Sequence, residues 1–140
     1  MKRIAILGLL AVAGYAYTPE HPQAANPVEE ADHLMRDGAR TTMTSTQNSF
    51  LAASCYATAI NNRGDGLTAN AARIDAENRW RVTVREARNG RAVAVVNVVP
   101  TGAPSSGPAD SSASSAELFL RQRYGRGGVE GLRRFLAERC

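Results

Sequence analysis

Histidine, cysteine and lysine are scarce in this chain, which limits the chemistry that it can perform. Its 140 residues include two histidines, two cysteines and a single lysine, Lys2. The histidines and cysteines lack the close spacing that a zinc site requires. Cys55 with His21 or His33 is the obvious nucleophile–base pair, but neither histidine lies in a segment that would hold a base rigidly. We therefore expect no catalytic, cofactor-binding or metal-binding residues.

Motifs for other kinds of active site are also missing from the sequence. It contains no phosphate-binding glycine loop, no serine-hydrolase elbow and no paired-carboxylate arrangement. The segment 61–66 superficially resembles a calcium loop, but Arg63 stands at the third ligand position and Ala72 replaces the bidentate glutamate. Arg63-Gly64-Asp65 also spells a cell-adhesion tripeptide. We interpret both as parts of one helix-to-strand turn in a non-enzymatic protein.

A large excess of positive charge is absent. The chain has 17 basic and 13 acidic residues, and loss of Lys2 and Arg3 with an N-terminal signal would leave 15 basic residues. This excess is too small to indicate a nucleic-acid partner. The arginines of residues 121–139 are interleaved with glutamates, which favours a solvated helix surface over a patch for anionic lipid, glycan or nucleic acid.

No apolar run has the usual length of a membrane-spanning helix. The run Ile4–Ala13, even when extended to Tyr17, is shorter than the roughly 20 residues that are needed. Basic residues precede it, and small residues allow cleavage after Ala13 or Ala16. This predicts a signal peptide over residues 1–16 and export to the periplasm or the medium, with no stable membrane span after cleavage. The alternative is a retained helix that anchors the protein in the inner membrane or in a filament.

The two cysteines are predicted to form a disulfide between Cys55 and Cys140. In an exported domain of this size, a disulfide is more common than two free thiols. The alternatives are free thiols or intermolecular pairing. Cys140 shares an apolar helix face with Leu132, Phe135 and Leu136, so the bridge would attach the C-terminal segment to the helix that carries Cys55.

The most regular part of the chain is residues 80–100. Apolar and polar residues alternate over 80–85, which predicts a half-buried strand. Asn89-Gly90 predicts a type I′ hairpin turn, in which both central residues have positive φ, and a valine-rich return strand follows over 91–99. The segment Leu67–Ile74 is predicted to be a third strand. A hairpin of two strands would be only marginally stable alone, so a further strand is needed beside it.

Two helices are predicted before these strands. Asn26 as N-cap and Pro27 at the first helical position begin a short helix that Gly38 ends. A polar run, Thr41–Thr46, then leads into a second helix, with Thr44 or Ser45 as its N-cap. This second helix carries Cys55 and is predicted to pack across one face of the strands.

The C-terminal part is predicted to be a linker followed by two helices. Thr101–Ser115 is rich in Gly, Pro and Ser. Ser114-x-x-Glu117 has the spacing of a capping box and predicts a helix through Tyr124, broken by the glycines at 125–128. A last helix begins at Val129.

The predicted fold class is therefore α+β, with a small three-stranded antiparallel meander packed against a helix and flanked by short helices. The predicted divisions are a signal peptide (1–16), a lead-in and short helix (17–44), an αβββ core (45–100), a Gly/Pro/Ser-rich linker (101–115), and C-terminal helices docked by the disulfide (116–140).

Together, these features resemble small exported proteobacterial proteins of uncharacterised function. The resemblance depends on the helix segment Cys55-Tyr56-Ala57-Thr58-Ala59-Ile60, on Trp80 in the middle strand and on Cys140, and it covers residues 49–100 and the C-terminal end. It implies an αβββ arrangement and a helix-to-terminus disulfide. It implies no activity and no site residues.

The expected function is that of a protein-interaction or structural accessory domain of the envelope. Its partner is expected to be another envelope protein, added as a strand along the exposed edge at Leu67–Ile74. One alternative is a membrane-anchored or filament-assembled subunit that keeps its hydrophobic helix. Another is a small secreted enzyme or toxin whose site the sequence does not reveal.

Overall fold

The computed structural model describes residues 27–101 and 113–140, which form a five-stranded antiparallel sheet with helices on both faces. The α+β class is confirmed, but the three-stranded meander is wrong because two further strands join it. The elements are α1 (Pro27–Asp37), β1 (Ala39–Ser45), α2 (Ser49–Asn61), β2 (Leu67–Arg73), β3 (Trp80–Glu86), β4 (Ala92–Pro100), β5 (Ser114–Leu120), a 3-10 turn (Gln122–Tyr124) and α3 (Gly125–Arg139).

The strand order across the sheet is β1-β5-β4-β3-β2, with every neighbouring pair antiparallel. The three predicted strands are β2, β3 and β4, which pair with their sequence neighbours but form part of the larger sheet and not a meander of their own. The predicted signal peptide and the N-cap Asn26 lie outside the described residues. Of the predicted linker over 101–115, residues 102–112 also lie outside them, whereas Ser114 and Ser115 belong to β5, so the linker prediction is wrong at its C-terminal end. Thr101 and Ala113, on either side of that segment, are joined by a main-chain hydrogen bond of 2.9 Å.

The turn between β3 and β4 differs from the predicted type I′ geometry. Gly90 has a positive φ of 72°, but Asn89 does not. The main-chain N–H of Glu86 donates to Arg91 O at 2.9 Å, which leaves four residues in the loop instead of two. Loops of this length are usually built around a type I turn and do not need two left-handed residues in succession.

The polar run that was expected to lead into the second helix is strand β1. Its threonines are β-branched and suit a pleated, half-exposed strand, and Met43 is buried on the inner face. α2 therefore begins later than predicted, at Ser49. Asn48 is its N-cap and accepts a 2.8 Å hydrogen bond from Leu51 N, so capping by Thr44 or Ser45 is wrong.

The segment predicted to be a helix through Tyr124 is strand β5, which lies between β1 and β4. Ala116, Leu118 and Leu120 are buried at alternate positions. Instead of forming a capping box, Ser114 Oγ donates to Gln47 O at 2.9 Å and Glu117 pairs with Arg40. The capping-box spacing is a local signal, whereas pairing with two distant strands is a tertiary one that outweighs it.

α3 begins at Gly125, so the prediction that glycines 125–128 break the helix is wrong. A Cβ at Gly128 would lie 2.8 Å from Tyr124 Cβ and 3.3 Å from a Leu120 methyl carbon. Glycine at this position lets the first turn of α3 approach the end of β5 closely. Leu132 and Leu136 are buried on one side of the last helix, as predicted, together with Val129, whereas Phe135 and Cys140 on the predicted face are partly buried.

The core has two parts, one on each face of the sheet. α2 and α3 cover the larger part, which includes alternate residues of all five strands. α1 covers the other face through Ala31 and Leu34, which pack against Ala92 and Val95. Since helices cover both faces of β4, this strand is an almost continuous apolar run.

α1 is also held to the sheet by a buried carboxylate. Glu30 is 9% exposed; one of its oxygens lies 3.0 Å from Arg85 Nη1, and the other accepts from Ala92 N at 3.3 Å. We expect Glu30→Ala to lower the free energy of unfolding by about 1–3 kcal/mol, because a buried N–H loses its acceptor. Urea denaturation would measure this loss. Asp32→Ala, on the exposed side of the same helix, should change stability by less than about 0.5 kcal/mol.

Candidate protein-binding edges of the sheet

β2 forms one edge of the sheet, at the position predicted for Leu67–Ile74. Alternate residues of an antiparallel strand bond to the same neighbour. Ala87 N donates to Gly66 O at 2.8 Å, which places the even-numbered residues of this segment against β3. The odd-numbered residues therefore direct their main-chain groups away from the sheet: Leu67, Ala69, Ala71 and Arg73.

The side chain of Asn61 occupies the middle of this edge. Its Nδ2 donates to Ala69 O at 3.0 Å, and its Oδ1 accepts from Ala69 N at 2.8 Å. The amide makes the pair of hydrogen bonds that an adjacent strand would make with Ala69. Because Asn61 is the last residue of α2, which packs across β2, the helix holds this amide in place. The β2 edge is closed at its centre, and within the described ranges it is open only towards its ends.

β1 forms the opposite edge of the sheet, and its hydrogen-bonding alternation can be derived in the same way. Arg121 N donates to Val93 O at 3.0 Å, so the odd-numbered residues of β5 bond to β4 and its even-numbered residues bond to β1. Since Leu120 is paired with Ala39, the odd-numbered residues of β1 face β5. The outward-directed residues are Arg40, Thr42 and Thr44.

Within residues 27–101 and 113–140, no hydrogen bond to the main-chain groups of these three residues was found. Thr42 and Thr44 are exposed, and the Arg40 side chain pairs with Glu117 on the neighbouring strand. β1 pairs with β5 over seven consecutive residue pairs without a bulge. Its edge is regular and has no counterpart of Asn61 in the described part of the chain.

A cleft lies at the beginning of β1, on the side where α3 packs. It has a volume of about 360 Å³ and is lined by Gly38, Ala39, Arg40, Gln122 and Val129. α3 makes its most extensive contact with β1 and contacts β5 and α2 less. The outward main-chain groups of Arg40 are therefore adjacent to a space large enough for a side chain.

The aromatic residues at the other end of α2 form an exposed pair. Phe50 is 50% exposed, and its ring centroid lies 5.0 Å from that of Trp80. Trp80 is half-buried and packs against the core beneath α2, as its sequence position suggested. Its indole Nε1 is buried and has no hydrogen-bond partner within the described residues.

Cys55 and Cys140 are bonded, with their Cα atoms 5.9 Å apart, and the bridge joins the middle of α2 to the end of α3. Cys55 is therefore not a free nucleophile. His33 contacts Asp37 on α1 at 3.1 Å, and His21 lies outside the described residues. Among residues 27–101 and 113–140, no three His, Cys, Asp or Glu side chains are close enough together to hold a metal ion.

A larger cleft of about 560 Å³ lies beside this disulfide, between α2 and α3. The guanidinium groups of Arg63 and Arg139 lie 4.6 Å and 4.2 Å from the centroid of the Phe135 ring. Both arginines are near helix C-termini, where positive side chains offset the negative end of the helix dipole. Arg63 is also paired with Asp65 at 2.9 Å, which offsets the charge of one of the two arginines that line the cleft.

The titratable groups with shifted pKa values lie in turns, at strand ends and, for Tyr56, whose pKa is raised by burial, in α2; none lies on β1 or β2. A hydrogen bond from Arg79 lowers the pKa of Asp75, and one from Asn89 lowers the pKa of Glu86. Burial lowers the pKa of Arg121, which donates to Ala92 O at 2.7 Å. These interactions fix turns and strand ends, and none of them forms an acid–base pair in a cleft.

Comparisons with models of known families, with curated proteins and with solved structures found no match to this chain. Over the two described ranges, no helix combines the length and the hydropathy needed to cross a membrane. The resemblance to small exported proteobacterial proteins therefore stays a prediction. The fold defines the class: an α+β protein with a five-stranded antiparallel sheet.

Sequence reasoning missed the most open edge of the sheet. The sequence contained a signal for this strand, because three of the four residues at 41–44 are threonines, which favour strands. The structure buries the fourth residue, Met43. Sequence reasoning also missed Asn61, which was interpreted only as the end of a helix. The bonds of Asn61 to Ala69 depend on how α2 packs on β2.

Proposed function

We propose that this protein is an exported, non-enzymatic accessory domain of the cell envelope that binds an extended segment of another envelope protein. The observation that carries the proposal is the pair of sheet edges with outward main-chain groups. Unpaired N–H and C=O groups along an edge strand are a template for a further strand, and strand addition is a common mode of peptide recognition.

The composition of the edge strands supports this proposal. Proteins that avoid strand addition place proline, charged side chains or a bulge on their edges. β1 and β2 are regular seven-residue strands without proline or a bulge, and each has a single charged residue, Arg40 or Arg73, near one end. The Cys55–Cys140 disulfide and the N-terminal sequence pattern support export to an oxidising compartment.

The test is whether a partner depends on the edges. The exported wild-type protein and the double variant Thr42→Pro/Ala71→Pro are used to capture proteins from an envelope extract. Proline at these outward-facing positions removes an N–H without breaking a bond within the sheet, so the variant should fold. We expect the wild type to retain a partner at fixed stoichiometry and the double variant to retain at least tenfold less.

Asn70→Ala is the control for this experiment. Asn70 is exposed on β2, but its main-chain groups face β3, so the substitution should leave capture unchanged. The intact mass of the exported protein reports whether residues 1–16 have been removed. The proposal is wrong if the wild type captures no stoichiometric partner, or if the double variant retains the partner as well as the wild type does.

A further inference from the structure

We infer that β1, and not β2, is the edge that accepts the partner, and that the partner adds a single extended strand next to α3. This inference rests on the proposed function and names its site. It reverses the sequence-based expectation for Leu67–Ile74, because the structure closes that edge at its centre and shows a second edge that no residue of 27–101 or 113–140 covers.

The first argument compares the hydrogen bonds available at each edge. At β2, the Asn61 amide occupies both main-chain groups of Ala69. Among the described residues, this leaves a partner strand two successive outward-directed residues to bond with, Ala71 and Arg73. At β1, the outward groups of three successive alternate residues are all available: Arg40, Thr42 and Thr44. A strand added at β1 can bond along the whole edge without displacing a side chain.

The second argument concerns the kind of occupant. If two copies paired through β1, their strands would be about 5 Å apart in one continuous sheet. Antiparallel pairing of this kind would place both α3 helices on the same face, each packed on its own β1. Packed helices need about 8–10 Å between their axes, so a second copy could pair here only if the two α3 helices packed against each other at that distance. A segment that carries no helix on that face fits the edge without this requirement.

The third argument concerns the side chains of that segment. Thr42 and Thr44 are exposed, and Thr-to-Thr or Thr-to-Val pairs across neighbouring strands are favourable. At the start of β1, the cleft lined by Gly38, Gln122 and Val129 can receive one side chain. The partner segment is therefore extended and rich in threonine or valine, with one side chain inserted beneath α3.

Single substitutions test which edge is used. In capture from envelope extract by the exported protein, Thr42→Pro should reduce the retained partner at least tenfold, whereas Ala71→Pro should leave it unchanged. The reverse result would overturn the assignment of the edge while leaving the proposed function intact. Failure of the wild type to capture any stoichiometric partner would reject both.

Amide hydrogen exchange in the free protein tests the state of the two edges without a partner. The amides of Thr42 and Thr44 should exchange fast, and that of Ala69 slowly. Asn61→Ala should speed exchange at Ala69 by at least tenfold and leave capture unchanged. Slow exchange at Thr42 in a monomer would mean that a segment of the chain itself covers β1. A dimer that Thr42→Pro dissociates would identify a second copy as the occupant, and either result would overturn the inference.

Discussion

Removal of the disulfide by the double substitution Cys55→Ser/Cys140→Ser is expected to lower the free energy of unfolding by about 4–5 kcal/mol. The bridge spans 85 residues, so it restricts the unfolded chain strongly. In the folded state it joins the end of α3 to the middle of α2, and both cysteines are partly buried. Since small domains are stable by only about 5–15 kcal/mol, this is a large fraction of the total.

Urea denaturation of the oxidised wild type and the double variant measures this difference, and added reductant provides the control. Reductant should destabilise the wild type to the level of the variant and should not change the variant itself. A difference below about 1 kcal/mol would contradict the chain-entropy argument. It would mean that packing of Leu132 and Leu136 alone holds α3 in place.

The substitution Gly38→Ala is expected to destabilise the protein by about 3 kcal/mol, at the upper end of the usual cost of overpacking. A Cβ at this position would lie 2.6 Å from Leu34 O and 2.8 Å from Leu120 O. Both are main-chain atoms that cannot rotate away, so α1 would have to separate from the end of β5. The same movement would alter the start of β1 and the cleft beside it.

Gly131→Ala is the matched control because it adds the same methyl group to a glycine in α3 with no atom within 4 Å of the new Cβ. Alanine is the better helix former, so this variant should be more stable than the wild type by about 0.4–1 kcal/mol. Thermal and urea denaturation should show opposite signs for the two variants. If Gly38→Ala left the free energy of unfolding unchanged, α1 and β5 would be shown to separate without loss of stability.

The central part of the fold could be predicted because its signals are local. Alternation over 80–85 and the turn residues that follow define the hairpin, and β2 precedes it in sequence and pairs with it. β1 and β5 could not be recognised in the same way. They pair with each other across 69 residues (Ser45 to Ser114) to 81 residues (Ala39 to Leu120). Both resemble helix starts because serine, threonine and glutamate also suit helix N-termini.

The candidate site was predictable only in part, for a similar reason. The sequence places β2 at an edge, and the structure confirms that position. Whether the edge is open depends on Asn61, whose amide reaches Ala69 only because α2 packs at a particular height over β2. No sequence pattern specifies that height. The outward direction of Thr42 likewise depends on the register between β1 and β5, which is a tertiary property.

The position of β5 between β1 and β4 has a consequence for the order in which the chain can fold. Synthesis from the N-terminus completes β1 early, but the strand beside which β1 lies comes after residue 113. Until then the threonine-rich segment has no partner within its own sheet, and Cys55 has no Cys140 to bond. Completion of the sheet and formation of the disulfide are therefore late events, and in the interval the unpaired β1 segment is exposed to pairing with other chains.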